Sequence, residues 1–105
     1  MRRRSPPPNT IKVGGNTVHI RKKAQDRGVF GRSHSREGWI EYSPDLSSTI
    51  EKSTILHECI HQIMDVYFLE HNVPKRNREP LVLGLEVSLF AFLRDNPKFV
   101  RYLCQ

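Results

Sequence analysis

The period of the hydrophobic pattern changes near residue 45, and this change constrains the fold more than any other feature of the sequence. Before it, β-branched and polar residues alternate, as in Thr10-Ile11-Lys12-Val13 and Thr17-Val18-His19-Ile20, which is typical of half-buried strands. After it, apolar residues recur every three or four positions, as on one face of a helix: Leu56, Ile60, Ile63 and Tyr67. The sequence therefore predicts an α+β domain, with a small, mostly antiparallel sheet followed by two packed helices.

Turn signals divide the first half into strands. Gly14-Gly15-Asn16 separates the first two alternating runs and predicts a β-hairpin. Residues 24–37 are polar and contain glycine, so we expect a loop there, with a short third strand near residues 29–33. Residues 38–42 alternate again. This last strand, at an edge of the sheet, is suited to pair with an extended peptide. Its alternative role is to pack Ile40, together with Trp39, beneath a helix.

Start and stop signals organise the helices of the second half. Ser48-Thr49-Ile50-Glu51 has the S-x-x-E form of a capping box, so a first helix is predicted over about residues 49–69. Pro74 interrupts the pattern, and a second helix is expected over about residues 78–95, followed by a final turn near residues 99–103. The core face of the second helix is predicted to consist of Leu81, Leu85, Leu89, Phe92 and Leu93.

Length and composition indicate one domain preceded by a tail. Residues 1–9 are basic and rich in proline, so we expect them to be disordered, with a single domain over residues 10–105. Cys59 and Cys104 do not make a disulfide framework in so short a chain. No apolar run approaches the roughly 20 residues of a membrane span. The expected location is therefore the cytoplasm, with no contact to a membrane.

The net positive charge lies entirely in the first half of the chain. Residues 1–45 carry ten Lys or Arg and four Asp or Glu, whereas residues 46–105 carry seven of each. Basic clusters occur at Arg2-Arg3-Arg4, Arg21-Lys22-Lys23 and Lys75-Arg76-Asn77-Arg78. Such clusters are compatible with contact to nucleic-acid phosphates, although runs of charge are more often simply solvated.

The segment His57-Glu58-Cys59-Ile60-His61 reads HExxH and has the residue types and the spacing of a zinc site. Histidines four positions apart share one face of a helix, so both imidazoles can reach one ion. Zinc lowers the pKa of a bound water to about 7, and Glu58 is placed to accept a proton from that water as a general base. Cys59 lies off the ligand face and is predicted to be a packed thiol. The alternative is a pair of surface histidines in a salt-bridged face with Glu58.

A third ligand has to come from another part of the chain, because two histidines alone bind zinc weakly. The candidates are Asp65, His71, Glu79 and Glu86. A straight helix carries Asp65 away from the ion, which suits a hydrogen-bond acceptor for a ligand histidine. An antiparallel hairpin about residues 70–77 would bring Glu86 level with His61, whereas Glu79 requires an early end of the first helix or a folded-back loop.

Residues 54–62 resemble the active helix of small gluzincins, and more specifically that of phage and prophage proteins related to the ImmA/IrrE metallopeptidases. The similarity covers about residues 10–103 and implies a minimal zincin-like core. By the register of that family, Glu79 is the third zinc ligand and Glu86 falls on a packing position. Pro80, directly after Glu79, departs from the family pattern, so Glu86 stays open as the alternative ligand.

The resulting hypothesis is a zinc metallopeptidase acting on a protein or peptide substrate. His57, His61 and Glu79 (or Glu86) would bind zinc, and Glu58 would activate water for attack on a peptide carbonyl. The main alternative is a non-enzymatic zinc-binding phage accessory protein, whose metal supports folding or the binding of a protein or nucleic acid. A further alternative is a basic nucleic-acid-binding protein in which the motif is incidental.

Overall fold

The structure of the chain is a computed structural model that describes residues 5–67, 76 and 78–105, without the side chains at 78–80, 82–83 and 86–87. As predicted, the fold is α+β, with the sheet first and the helices after it. The elements are β1 (Thr10–Val13), β2 (Asn16–Lys22), β3 (Gly31–His34), β4 (Trp39–Tyr42), α1 (Ser48–Val66), α2 (Arg78–Asp95) and α3 (Pro97–Leu103). Within the described residues, no helix combines the length and the apolar character needed to cross a membrane.

The described sheet is mixed, and the prediction of a mostly antiparallel sheet holds for two of its three strand pairs. The strand order is β1-β2-β4-β3, with β1–β2 and β3–β4 antiparallel and β2–β4 parallel. The chain reverses direction at each successive strand, so β2 and β4 point the same way and pair in parallel once β4 lies beside β2. The strand expected at an edge is therefore internal, and β3 is the edge strand on that side of the described sheet.

The first hairpin turns through Gly14 and Gly15, as predicted. Both residues have positive φ, at 57° and 88°, and Val13 pairs with Asn16 across them. A two-residue turn of this kind requires left-handed backbone at both central positions, which glycine adopts without steric cost. The turn sets the register of β1 against β2 and so determines which side chains share a face of the sheet.

One face of the sheet forms the core with α1. Alternate strand residues point to this face and are buried: Ile11, Val13, Val18, Ile20, Ile40 and Tyr42. From α1, the fully buried apolar residues are Ile55, Cys59 and Ile63. Ile60, predicted on the buried stripe, is 41 % exposed, and Leu56 and Tyr67 are only partly buried. The helix is thus rotated relative to the predicted stripe, and His57 and His61 lie on its exposed side.

The first turn of α1 is held by contacts that differ from the predicted capping box. Its N-cap is Ser47, whose hydroxyl oxygen accepts a hydrogen bond from the Ile50 amide at 3.3 Å. Glu51, expected to complete a box with Ser48, instead accepts a hydrogen bond from the Tyr102 hydroxyl at 2.5 Å. This bond joins the first turn of α1 to α3.

The last two helices close one end of the core. Phe92 of α2 and Phe99 of α3 are buried and meet edge to face, with ring centroids 5.8 Å apart. Between the helices, the Asn96 side chain accepts a hydrogen bond from the Lys12 amide at 2.7 Å and donates one to the Lys12 carbonyl at 2.8 Å. The core position of Phe92 is confirmed. Leu93, however, is 38 % exposed, and the expected final turn is the seven-residue helix α3.

Candidate metal centre

His57 and His61 converge on the exposed side of α1. Their Nε2 atoms are 3.2 Å apart, and the ring planes meet at 72°. Two nitrogens bound at roughly 2.0–2.1 Å to one tetrahedral ion lie about 3.3–3.4 Å from each other. The observed separation of the two imidazole nitrogens is therefore close to the separation expected for ligands that share a metal ion.

Glu58 completes a group of three side chains that is suited to hold a metal ion. One ligand atom from each of His57, Glu58 and His61 lies within 4.8 Å of the others. Unlike the exposed histidines, Glu58 is only 7 % exposed, and its Oε2 atom lies 3.3 Å from where a Cβ would stand on Gly31. The carboxylate is therefore held in the groove between α1 and β3, beside the imidazoles.

Two cavities open in this groove, one on each side of Glu58. The first, of about 260 Å³, is lined by Glu58 with Arg32, Ser33, His34, His61 and Asp65. The second, of about 360 Å³, is lined by Glu58 with Phe30, Gly31, Ser53, Thr54 and His57. Because Glu58 borders both cavities, its carboxylate can be reached from the groove although most of its surface is covered.

Gly31 allows β3 to approach α1 closely at the position of Glu58. A Cβ at this residue would stand 2.8 Å from both the Glu41 carbonyl oxygen and Thr54 Cγ2. Such separations are well below van der Waals contact, and a carbonyl oxygen in a sheet ladder cannot move without disturbing the strand pairing. The absence of a side chain at residue 31 is therefore what lets the edge strand run past the carboxylate.

Gly31→Ala is expected to destabilise the chain by about 1–3 kcal/mol, because the added methyl group forces β3 away from α1. The free energy of unfolding from urea titration measures this cost. Arg32→Ala is a suitable control, since Arg32 is exposed on the same strand and its ion pair with Asp26 lies at the surface. Equal stability of Gly31→Ala and the wild type would contradict the close approach.

Gln62, the residue after His61, connects α1 to the sheet through hydrogen bonds. It is 1 % exposed, and its side-chain amide donates hydrogen bonds to Ser33 Oγ at 2.9 Å and to the Trp39 carbonyl at 3.3 Å. Leaving a buried partner of such bonds unsatisfied costs roughly 1–3 kcal/mol. The two hydrogen bonds of Gln62 therefore fix the position of α1, and with it that of the two histidines, relative to β3 and β4. No sequence pattern pointed to Ser33, because a four-residue strand within a polar segment has too little periodicity to reveal its neighbours.

Cys59 is a packed thiol, as predicted. Burial raises its pKa well above the usual range, and the neighbouring Glu58 charge raises it further. Since metals and electrophiles react with the thiolate, Cys59 is chemically inert in the folded chain and does not belong to the ligand set. Cys104 is also unpaired but exposed.

The predicted third ligands lie outside the described side chains. Glu79 and Glu86 both fall within α2, but their side chains belong to the part that the structure does not describe, and so does the whole of His71. Asp65, predicted to support a ligand histidine, accepts a hydrogen bond from the Ser35 hydroxyl and lines the smaller cavity with His61. The choice between Glu79 and Glu86 stays a prediction.

Comparisons of the chain with protein families, with curated proteins and with solved structures found no match. The similarity to ImmA/IrrE-type metallopeptidases therefore stays a sequence-based prediction. The function has to be argued from the geometry of His57, Glu58 and His61.

Proposed function

We propose that the chain is a zinc-dependent metallopeptidase in which His57 and His61 bind the metal and Glu58 acts as the general base. The observation that carries the proposal is the 3.2 Å separation of the two Nε2 atoms, which suits a shared tetrahedral ion. Glu58 supports it, because a buried carboxylate beside this pair borders two cavities. Zinc fits the donor set better than calcium or magnesium, which prefer oxygen ligands.

Zinc at this position would supply a Lewis acid and lower the pKa of water to about 7. Glu58 would accept a proton from the attacking water and deliver it to the leaving amine of the peptide. Its position in the groove limits contact with bulk water, and the cavities on both sides leave room for chain before and after the scissile bond. Gly31 leaves room for this carboxylate beside β3 and takes no part in proton transfer.

An extended protein segment is the substrate that the surroundings of Glu58 favour. β3 is a terminal strand of the described sheet, and its residues line both cavities beside α1. A peptide paired with the outer edge of β3 would pass Glu58, with main-chain hydrogen bonds providing affinity. The role first assigned to residues 38–42 therefore passes to β3.

The third ligand would also connect two elements of the fold. His57 and His61 belong to one helix, so a carboxylate from Glu79 or Glu86 would tie α2 to α1 through the metal. In that case zinc binding would contribute to the free energy of folding. The same set of ligands would serve the alternative, a non-enzymatic zinc-binding phage accessory protein in the cytoplasm, but that alternative assigns no task to the buried Glu58 carboxylate.

Metal analysis tests the proposal at its first step. The purified chain is expected to hold about one zinc ion after dialysis, and His57→Ala and His61→Ala are expected to lose it, because the remaining ligands are too few. His19→Ala is the matched control, since His19 is exposed on β2. Of Glu79→Ala and Glu86→Ala, the variant that loses zinc identifies the third ligand. Full zinc retention in both α1 histidine variants would reject the metal site, and the 3.2 Å contact would then be a hydrogen bond between imidazoles.

A further inference from the structure

The face of the sheet opposite α1, which we call the outer sheet face, carries a cluster of cationic and aromatic side chains. Strand alternation turns these residues away from the core: Lys12, His19, Arg21, Arg32, His34 and Trp39. Four of them are exposed, and His34 and Trp39 are half-buried. The apolar residues that α1 covers lie on the other face. The cluster is therefore open to solvent in the described part of the chain.

Trp39, the single tryptophan of the chain, stands between an imidazole and a guanidinium. The His34 ring is stacked on it, with centroids 3.6 Å apart and planes inclined by 26°. Arg21 Cζ lies 4.1 Å from the indole centroid. Two groups at these distances cannot occupy the same side of one ring, so they cover opposite sides. The result is a column of three flat groups that crosses β3, β4 and β2.

The acidic group nearest to the column is buried beneath two cations. Glu41 is 3 % exposed, and its Oε2 atom lies 3.6 Å from both Arg21 Nε and Lys23 Nζ. Gln25 donates a hydrogen bond to the other carboxylate oxygen at 3.3 Å. The Arg21 and Lys23 side chains, which are 52 % and 65 % exposed, thus share the single negative charge of the buried Glu41 carboxylate.

The remaining charges around the column leave the outer sheet face positive. Arg32 pairs with Asp26 at 2.7 Å, and the Glu37 carboxylate lies 3.9 Å from His34 Nδ1. Lys12 donates a hydrogen bond to the neutral Thr17 hydroxyl. Four Lys or Arg side chains (Lys12, Arg21, Lys23 and Arg32) therefore meet three carboxylates, one of them buried, so the described charges of this face sum to one positive charge.

We infer that the outer sheet face binds single-stranded nucleic acid. Exposed Lys and Arg side chains attract phosphates, while bases stack on flat aromatic or guanidinium groups such as those at the two ends of the column. A four-stranded sheet is too broad to enter a duplex groove, which admits a helix or a two-stranded ribbon, so an unpaired strand is the form that fits. None of the three residues of the metal centre belongs to this face, and the inference does not depend on peptidase activity.

Tryptophan fluorescence reports on this face directly, because Trp39 is the only indole. Titration with an oligothymidylate of about 15 nucleotides is expected to quench the emission and saturate, since the footprint of one small domain is roughly 4–16 nucleotides. If four cations contact phosphates, the affinity should fall about 50-fold between about 50 and 200 mM salt. Absence of saturable quenching, or equal affinity for a duplex of the same length, would overturn the inference.

Two variants and two controls locate the binding surface. Arg21→Gln removes one end of the column and should weaken binding at least about fivefold. His19→Glu places a negative charge beside Trp39 without removing a partner of Glu41, and it should also weaken binding. Arg101→Gln and Lys98→Gln make the same change in net charge on α3 and should leave the affinity unchanged. Equal losses of affinity in the variants and the controls would mean that only the net charge of the protein matters. That result would reject the outer sheet face as the binding site.

Discussion

Glu58→Gln is expected to abolish peptide hydrolysis while the chain keeps its zinc and its fold. The glutamine has the same size as the glutamate and remains polar, but it cannot accept a proton. Loss of a positioned general base typically slows a reaction by about 10²–10⁴-fold. Cleavage of an unstructured protein substrate, followed by mass spectrometry, measures the rate. Unchanged zinc content and unchanged thermal unfolding of the same sample would show that the variant loses the chemical step and neither the metal nor the fold.

Glu37→Gln is the matched control for this experiment, because it removes one carboxylate from an exposed position next to β4. Its rate should equal that of the wild type. A Glu58→Gln variant with full activity would remove Glu58 from the mechanism. A wild-type chain that binds zinc and cleaves no substrate would instead support the zinc-binding accessory protein, for which Glu58 is not needed.

Ile63→Ala is expected to give the largest loss of stability of the substitutions considered. Ile63 is 1 % exposed and packs in the core between α1 and the sheet. Truncation of a buried isoleucine to alanine costs about 2–5 kcal/mol, a large part of the roughly 5–15 kcal/mol that stabilises a small domain. Urea unfolding should show a lower midpoint with an unchanged dependence on denaturant, since the amount of surface exposed on unfolding stays nearly the same.

Ile60→Ala is the control, since it makes the same change on the same helix at a residue that is 41 % exposed. Its cost should stay below about 1 kcal/mol. Both isoleucines belong to the stripe predicted from the sequence, so the comparison tests the rotation of α1. Equal losses would mean that α1 faces the core differently, and the exposed placement of His57 and His61 would then be wrong.

Local patterns accounted for the elements and for the core of the candidate site. The change of period near residue 45 predicted the α+β class, because alternation and helical spacing are properties of each segment alone. Gly14 and Gly15 predicted the first hairpin, since positive φ at both positions is a local requirement. The spacing of His57 and His61 placed both rings on one face of a helix, and their Nε2 atoms do converge.

Contacts between distant segments were not readable in the same way. The parallel pairing of β2 with β4 depends on which strand fills the place beside β2, and no local signal encodes that choice. The rotation of α1 buries Gln62, whose amide donates hydrogen bonds to Ser33 and to the Trp39 carbonyl, and leaves Ile60 exposed. These partners lie on β3 and β4, far from α1 in the sequence. The column through Trp39 likewise exists only because three strands bring His34, Trp39 and Arg21 together.

The sequence by itself determined the order of the strands and of the first two helices, the hairpin turn and the placement of His57 and His61 on one helix. Each depends on backbone preferences or on spacings within a few residues, which hold whatever the rest of the chain does. Only the tertiary structure decided that Glu58 lies in a groove against Gly31 and that a cationic and aromatic column stands on the outer sheet face. Both follow from packing between segments far apart in the chain, where burial and hydrogen bonding outweigh local periodicity.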